Sequence, residues 1–212
     1  MATSPVEVCN IALKRLGADA IVAFDEGSSR ASLCDQLYQT TVDRALREHE
    51  WNFAQFRRTL APRTTTPAFG YSTQYTLPTL PLCLKVNETD PHDAEFDIEN
   101  TIDSAGVVQG RVIVTNETSL SIRYTGRVDD CTLWDASFTD YVALSLAAQM
   151  AYPLTESASL ARVIGDEARN ALQHARSVDS QEGSAKQADI NVLVDVRRHG
   201  FREAFNRNQN SI

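Results

Sequence analysis

The sequence predicts a mainly α protein: a four-helix bundle interrupted by a β-rich insertion and followed by an extended C-terminal tail. Three observations predict it. Four stretches, 5–16, 29–49, 136–151 and 155–178, carry apolar residues at helical spacing. Between the second and third, that spacing gives way to short alternating runs broken by Pro62, Pro67, Pro78, Pro81 and Pro91, which rule out long helices. After residue 182 alternation returns with no partner run beside it. The implied division is a discontinuous helical bundle, 1–52 with 133–181, a β-rich insertion at 53–132, and a tail at 182–212.

The first helix opens on Ser4 as N-cap, with Pro5 at the first helical position and Glu7 completing a capping box. Val8, Ile11, Ala12 and Leu16 make one face, and Gly17 fits the left-handed position after the helix end. Asp25, Gly27 and Ser28 then mark a turn. The second helix carries a broad stripe that includes Cys34, Tyr38, Val42 and Ala45. The third is apolar nearly all round, from Phe138 and Tyr141 to Leu144, Ala147 and Met150, and therefore belongs inside the molecule. Pro153 is expected to end it. Thr155 is the expected cap of the fourth helix, whose stripe runs through Leu160, Ile164, Ala168, Ala171, Ala175 and Val178.

Residues 46–62 are the hinge of this plan. Helical spacing stops at His49, and a period near two begins at Phe53. Trp51 sits at the corner, where an indole brings a large apolar area and needs one hydrogen-bond acceptor. Trp51 and Phe53 are therefore the expected structural corner. Strand runs follow at 53–60, 74–77, 83–87, 107–109, 111–115 and 120–124, with Gly110 as a hairpin-turn candidate. Residues 63–72, rich in threonine with Pro67 and Gly70, read as an exposed loop.

In the tail, Ile190, Val192, Val194 and Val196 alternate with Asn191, Leu193 and Asp195, and Phe201 and Phe205 are four apart. The chain has a formal net charge of -8, yet residues 197–212 hold Arg197, Arg198, Arg202 and Arg207 against one acid, Glu203. A basic tail on an acidic body reads as a docking arm. An acidic body is ill suited to gripping DNA phosphates.

Catalytic and metal signatures are sparse. No glycine-rich nucleotide loop and no Gly-x-Ser-x-Gly elbow occurs. His49, His92, His174 and His199 have no metal-ligand spacing, and Cys9, Cys34, Cys83 and Cys131 form no Cys-x-x-Cys pair. No cofactor or metal is expected, and buried reduced thiols are. No apolar run approaches the ~20 residues of a membrane helix, and the start of the sequence does not read as a signal peptide. The one catalytic reading rests on carboxylates. Glu48 and Glu50 flank Trp51, and Asp129 and Asp130 close the β region, so a pair facing across a cleft would suit glycoside hydrolysis.

Four segments carry a resemblance. They are Glu7-Val-Cys-Asn-Ile-Ala-Leu-Lys-Arg-Leu-Gly17; Leu46-Arg-Glu-His-Glu-Trp-Asn-Phe-Ala54 with Arg58-Thr-Leu-Ala-Pro62; Tyr75-Thr-Leu-Pro78 before Leu82-Cys-Leu-Lys-Val86; and Ile122-Arg-Tyr-Thr-Gly-Arg-Val-Asp129, with Phe138 and the Ala-rich helix reaching Leu154 and Thr155. In order and spacing they resemble the tail tubular protein A family, the head-to-tail adaptors, or gatekeepers, of short-tailed bacteriophages. The resemblance covers about residues 5–178. It implies a helical bundle interrupted by a β-rich portion, and a ring of usually twelve subunits between the portal and the tail nozzle protein. Double-stranded DNA would pass through that ring without sequence recognition. It implies a place in the virion at the head-to-tail interface, reached from the host cytoplasm during assembly, with no membrane partner. The docking residues expected for the portal, or for a neighbouring subunit, are Ile190, Val192, Val194, Val196, Arg197, Arg198, Phe201, Arg202 and Phe205. The alternatives are a virion-associated glycan hydrolase using the carboxylates above, and a connector of a long-tailed phage.

Overall fold

The computed structural model describes residues 4–103 and 105–182. The docking residues expected in the tail, Ile190 to Phe205, lie outside the described residues. Four helices are present among the described residues: α1 (Pro5–Arg15), α2 (Ser29–Glu48), α3 (Ala136–Thr155) and α4 (Ala158–Gln181). Between α2 and α3 lie six strands: β1 (Gln55–Leu60), β2 (Thr73–Thr76), β3 (Cys83–Asp90), β4 (Phe96–Ile102), β5 (Val108–Thr115) and β6 (Leu120–Gly126). The expectation of a mainly α four-helix bundle is therefore corrected. The fold is mixed α/β, 46% helix and 24% strand, with the strands in two antiparallel sheets. The reason is that the β region is a layer with its own core, not a small insertion. The helices and both sheets belong to one compact unit, residues 1–180; of the second unit, residues 181–212, only 181 and 182 are described.

The sheets have orders β1-β6-β3 and β2-β5-β4. Leu60, Tyr75, Cys83, Ile113, Ile122 and Tyr124, drawn from both sheets, bury together, so the sheets face each other. The second core gathers the inner faces of the helices with Trp51, Ala54, Leu84, Val128 and Trp134. α3 supplies eleven buried residues and lies against α1 and α2, as its all-round apolar surface requires. α4 joins by the stripe of Ile164, Ala168 and Ala175.

Local expectations hold at the first two helix starts. Ser4 accepts from the Glu7 N–H at 3.2 Å and Ser28 from the Ala31 N–H at 3.1 Å. Gly17 sits at φ 70° after α1. Two expectations around Pro153 fail. α3 runs through Pro153 and stops when Glu156 turns left-handed at φ 54°, its N–H donating to the Tyr152 carbonyl at 2.9 Å. The α4 cap is Ser157, whose hydroxyl accepts from the Leu160 N–H at 3.2 Å, and not Thr155.

The β region departs further. Strand β4 was not expected, and β5 runs straight through Gly110 instead of turning there. Gly110 has φ 116° and lies at a bulge where the β4–β5 register shifts. The turn is made by Asp103, whose Oδ1 accepts from the N–H groups of Ala105 and Val107 at 2.9 Å each. β1 begins at Gln55, because Asn52–Ala54 forms a short 3-10 turn. Residues 63–72 are tied to the outer face of the second sheet. Gln74 Nε2 donates to the Thr65 carbonyl at 2.7 Å and Tyr71 Oη to Asp97 at 3.0 Å. Gln74 and Asp97 both stand opposite Val114, so the loop crosses over that residue, which is buried.

Candidate functional site

Two of the four segments that carry the resemblance, 46–54 and 122–129, meet at the joint between the helices and the β region. Trp51 and Phe53, the expected corner, are there; Trp51 is 1% exposed and Phe53 packs against the helical core. The chain leaves α2 through Trp51, and its indole N–H donates to the Ala45 carbonyl at 2.9 Å. The chain returns to the helices through Trp134, and its indole N–H donates to the Val128 carbonyl at 2.9 Å. Phe138, on the first turn of α3, contacts both indoles edge-on, with ring centroids 4.9 and 5.2 Å away, and Phe53 at 5.0 Å. Such edge-to-face contacts place positive ring edges on negative faces. The sequence reading singled out Trp51 and missed Trp134. The signal was present, since the chain has two tryptophans and each stands between a β run and a helix.

The polar residues of 46–54 are as fully engaged as the aromatic ones. Arg47 donates to the Leu84 carbonyl at 2.7 Å, tying α2 to β3. Glu48 accepts from the Tyr141 hydroxyl of α3. Burial and that hydrogen bond push the Tyr141 phenol up to about 12. His49 Nε2 meets Asp179 Oδ2 at 3.0 Å, and the Asn52 N–H donates to Asp179 Oδ1 at 2.9 Å. Asn52 Nδ2 donates to the Asp179 carbonyl at 2.7 Å, so the end of α4 is fastened to the corner. Arg176 reinforces it by donating to the Glu48 carbonyl at 2.6 Å.

Residues 122–129 are used with equal economy. Ile122 and Tyr124 point into the inter-sheet core. Between them Arg123 faces the other way and bonds Glu88 through two nitrogens, at 2.8 and 2.7 Å, and Glu50 at 2.8 Å. Thr125 accepts from Asn87 at 2.9 Å. At Gly126 a Cβ would come within 2.7 Å of the Phe56 ring, so a side chain there would displace that ring. Arg127 forms a two-nitrogen pair with Asp43 of α2.

This arrangement gives three of the four carboxylates of the glycosidase reading, Glu48, Glu50 and Asp130, separate structural employment. Glu48 holds Tyr141, and Glu50 shares the Arg123 guanidinium with Glu88. Asp130 caps a short turn, where bonds from the Thr132 hydroxyl and N–H hold its carboxyl below the usual range. The outer face of the first sheet forms an open groove of about 360 Å³ lined by Arg57, Thr59, Glu88, Asp90, Ser121 and Arg123. It is a polar lattice of neighbouring strand residues, Arg57 beside Arg123 and Thr59 beside Ser121. Such a face suits contact with a polar surface.

Cys9, Cys34, Cys83 and Cys131 are all buried and reduced. Cys34 lies 3.6 Å from the Met150 sulfur and Cys131 3.2 Å from the Tyr38 hydroxyl. Among the described residues no group of three or more His, Cys, Asp or Glu side chains has metal-binding geometry. Among them, too, no helix is long and apolar enough to cross a membrane. No protein-family model matches the chain, and no curated protein matches it.

Proposed function

We propose that this chain is the head-to-tail adaptor of a short-tailed bacteriophage, a subunit of a ring, twelvefold by the resemblance, that joins portal to tail nozzle around the DNA exit channel. The observation that carries the reading is the joint. Two of the four segments that carry the resemblance, 46–54 and 122–129, meet there: Arg47, Glu50 and Arg127 tie α2 and its end to the first sheet, while Glu48 and Trp51 fix the end of α2 itself. A joint between layers bonded in this way fits a subunit that transmits force between neighbours. The net charge of -8 supports the channel role, because an acidic wall lets DNA slide without binding its phosphates. The C-terminal docking residues would hold the portal or an adjacent adaptor.

The test is binding of the purified full chain to assembled rings of the portal protein encoded in the same genome. The adaptor reading expects saturable binding with a fixed number of chains per portal ring. Absence of binding under conditions where the chain is folded would overturn it, and so would cleavage of cell-wall or capsular glycan that Glu48→Gln or Glu50→Gln abolishes.

A further inference from the structure

Strand β4 offers an unfinished edge. It pairs with β5 on one side, and among the described residues nothing pairs with the other. An open edge presents a row of backbone N–H and C=O groups that another strand can complete. Two features make this edge specific. Residues 93–103 contain five acids, Asp93, Glu95, Asp97, Glu99 and Asp103, and no base. Asp97 and Asp103 are held by Tyr71 and by the turn, whereas exposed Glu95 and Glu99 make no side-chain hydrogen bond or ion pair among the described residues. On the alternate positions Ile98 and Ile102 are 39% and 62% exposed, next to Val107 and Val108 at the hairpin end.

The chain itself carries a complement. Residues 190–196 match β4 in length, seven residues each, and set Ile190, Val192, Val194 and Val196 on one face of a strand. Arg197 and Arg198 follow at once. We propose that residues 190–198 of a second copy of this chain add as a strand to the β4 edge. The new strand runs antiparallel to β4. That direction covers Ile98 and Ile102 with the valines and brings the two arginines toward Glu95 and Asp93 at the start of β4. Asp195 is the one acid in the segment and is outweighed by the adjoining pair of arginines. The inference rests on the adaptor reading only in requiring that copies of the chain associate, and it assigns the tail to a neighbouring subunit rather than to the portal.

Charge reversal tests it in the full-length protein. Glu95→Lys with Glu99→Lys alters the edge at two exposed side chains, and Arg197→Glu with Arg198→Glu alters the segment. Self-association is followed by sedimentation and native mass at low salt. Each double variant alone should associate roughly tenfold or more weakly than the unaltered chain. An equimolar mixture of the two should regain association, because each then meets a partner of opposite charge. Protection of the β4 amides from hydrogen exchange should rise with concentration in the unaltered chain and in the mixture only. Unchanged masses for either variant, or no recovery on mixing, would overturn the proposal. Recovery judged only by portal binding reports on the adaptor reading, so the two can fail separately: a chain that self-associates through this edge yet ignores the portal leaves the inference standing.

Discussion

Trp51 and Trp134 meet the same Phe138 ring at steep angles, 66° and 89°, one indole at the chain's entry to the β region and the other at its exit. Each donates its N–H to a carbonyl six residues earlier in the sequence. The joint is thus closed around one phenylalanine that is itself fully buried.

Phe138→Ala should therefore cost about 3–5 kcal/mol, the range for an emptied aromatic site, while Phe138→Leu should cost less. Urea unfolding followed by tryptophan emission measures this, since both reporters lie at the cavity. A loss well under 1 kcal/mol for the alanine variant would show that the two indoles do not depend on this ring.

Asp179 is 6% exposed and holds three groups of the corner through its carboxylate and carbonyl. Asp179→Ala should cost about 1.5–3 kcal/mol, as for hydrogen bonds to a charged group. Asp179→Asn, which keeps an acceptor for the Asn52 N–H, should cost less. Hydrogen exchange should rise first in the last turns of α4, and an unchanged pattern there would contradict the fastening role.

Tyr141 contributes to stability at alkaline pH, beside other buried phenols such as Tyr38 whose values burial also raises. Burial and the bond to Glu48 push the Tyr141 phenol up from the ordinary 10 to about 12 in the fold. The folded state therefore holds the proton more tightly, so this contribution is complete below pH 10 and lost as pH rises toward 12. Tyr141→Phe should flatten the decline of stability between pH 10 and 12, although it removes the bond to Glu48 and lowers stability at neutral pH. An equally steep decline in the variant would assign the alkaline loss elsewhere.

The four thiols should be silent toward an aromatic disulfide reagent at pH 8 in the folded protein and all react in urea. Burial pushes the Cys83 thiol up to about 11, with Arg111 and Arg47 pulling the other way. The bond with Cys34 and burial push the Cys9 thiol up. Rapid reaction of any one before unfolding would mean that its cover opens locally.

The helices were legible in the sequence because each carries a continuous stripe or, for α3, an apolar surface all round. The corner at Trp51 was legible because the period changes there. What escaped were features set by distant contacts or by competing local signals. In β4, Phe96, Ile98 and Ile102 do alternate, but Asp97, Glu99 and the nearby Pro91 resemble a loop. Gly110 looks like a turn because glycine often is one, whereas here it occupies a bulge and Asp103 makes the turn. Pro153 should end a helix on local grounds, yet α3 continues through it to Thr155. The loop at 63–72 lacks any apolar run, so its attachment to Gln74 and Asp97 depends on strands that sequence pattern does not pair. Asp179 reads as one more acid on a helix, and only the fold brings it to His49 and Asn52.

The most direct test of the adaptor account is an electron cryo-microscopy map of the assembled particle in which this chain is encoded. The account predicts a ring of this fold between portal and nozzle, with α1 to α3 and the two sheets recognisable in each of about twelve subunits and the channel lined by an acidic surface. A map whose portal–nozzle junction is filled by other proteins, with this chain elsewhere in the particle or missing from it, would contradict the account.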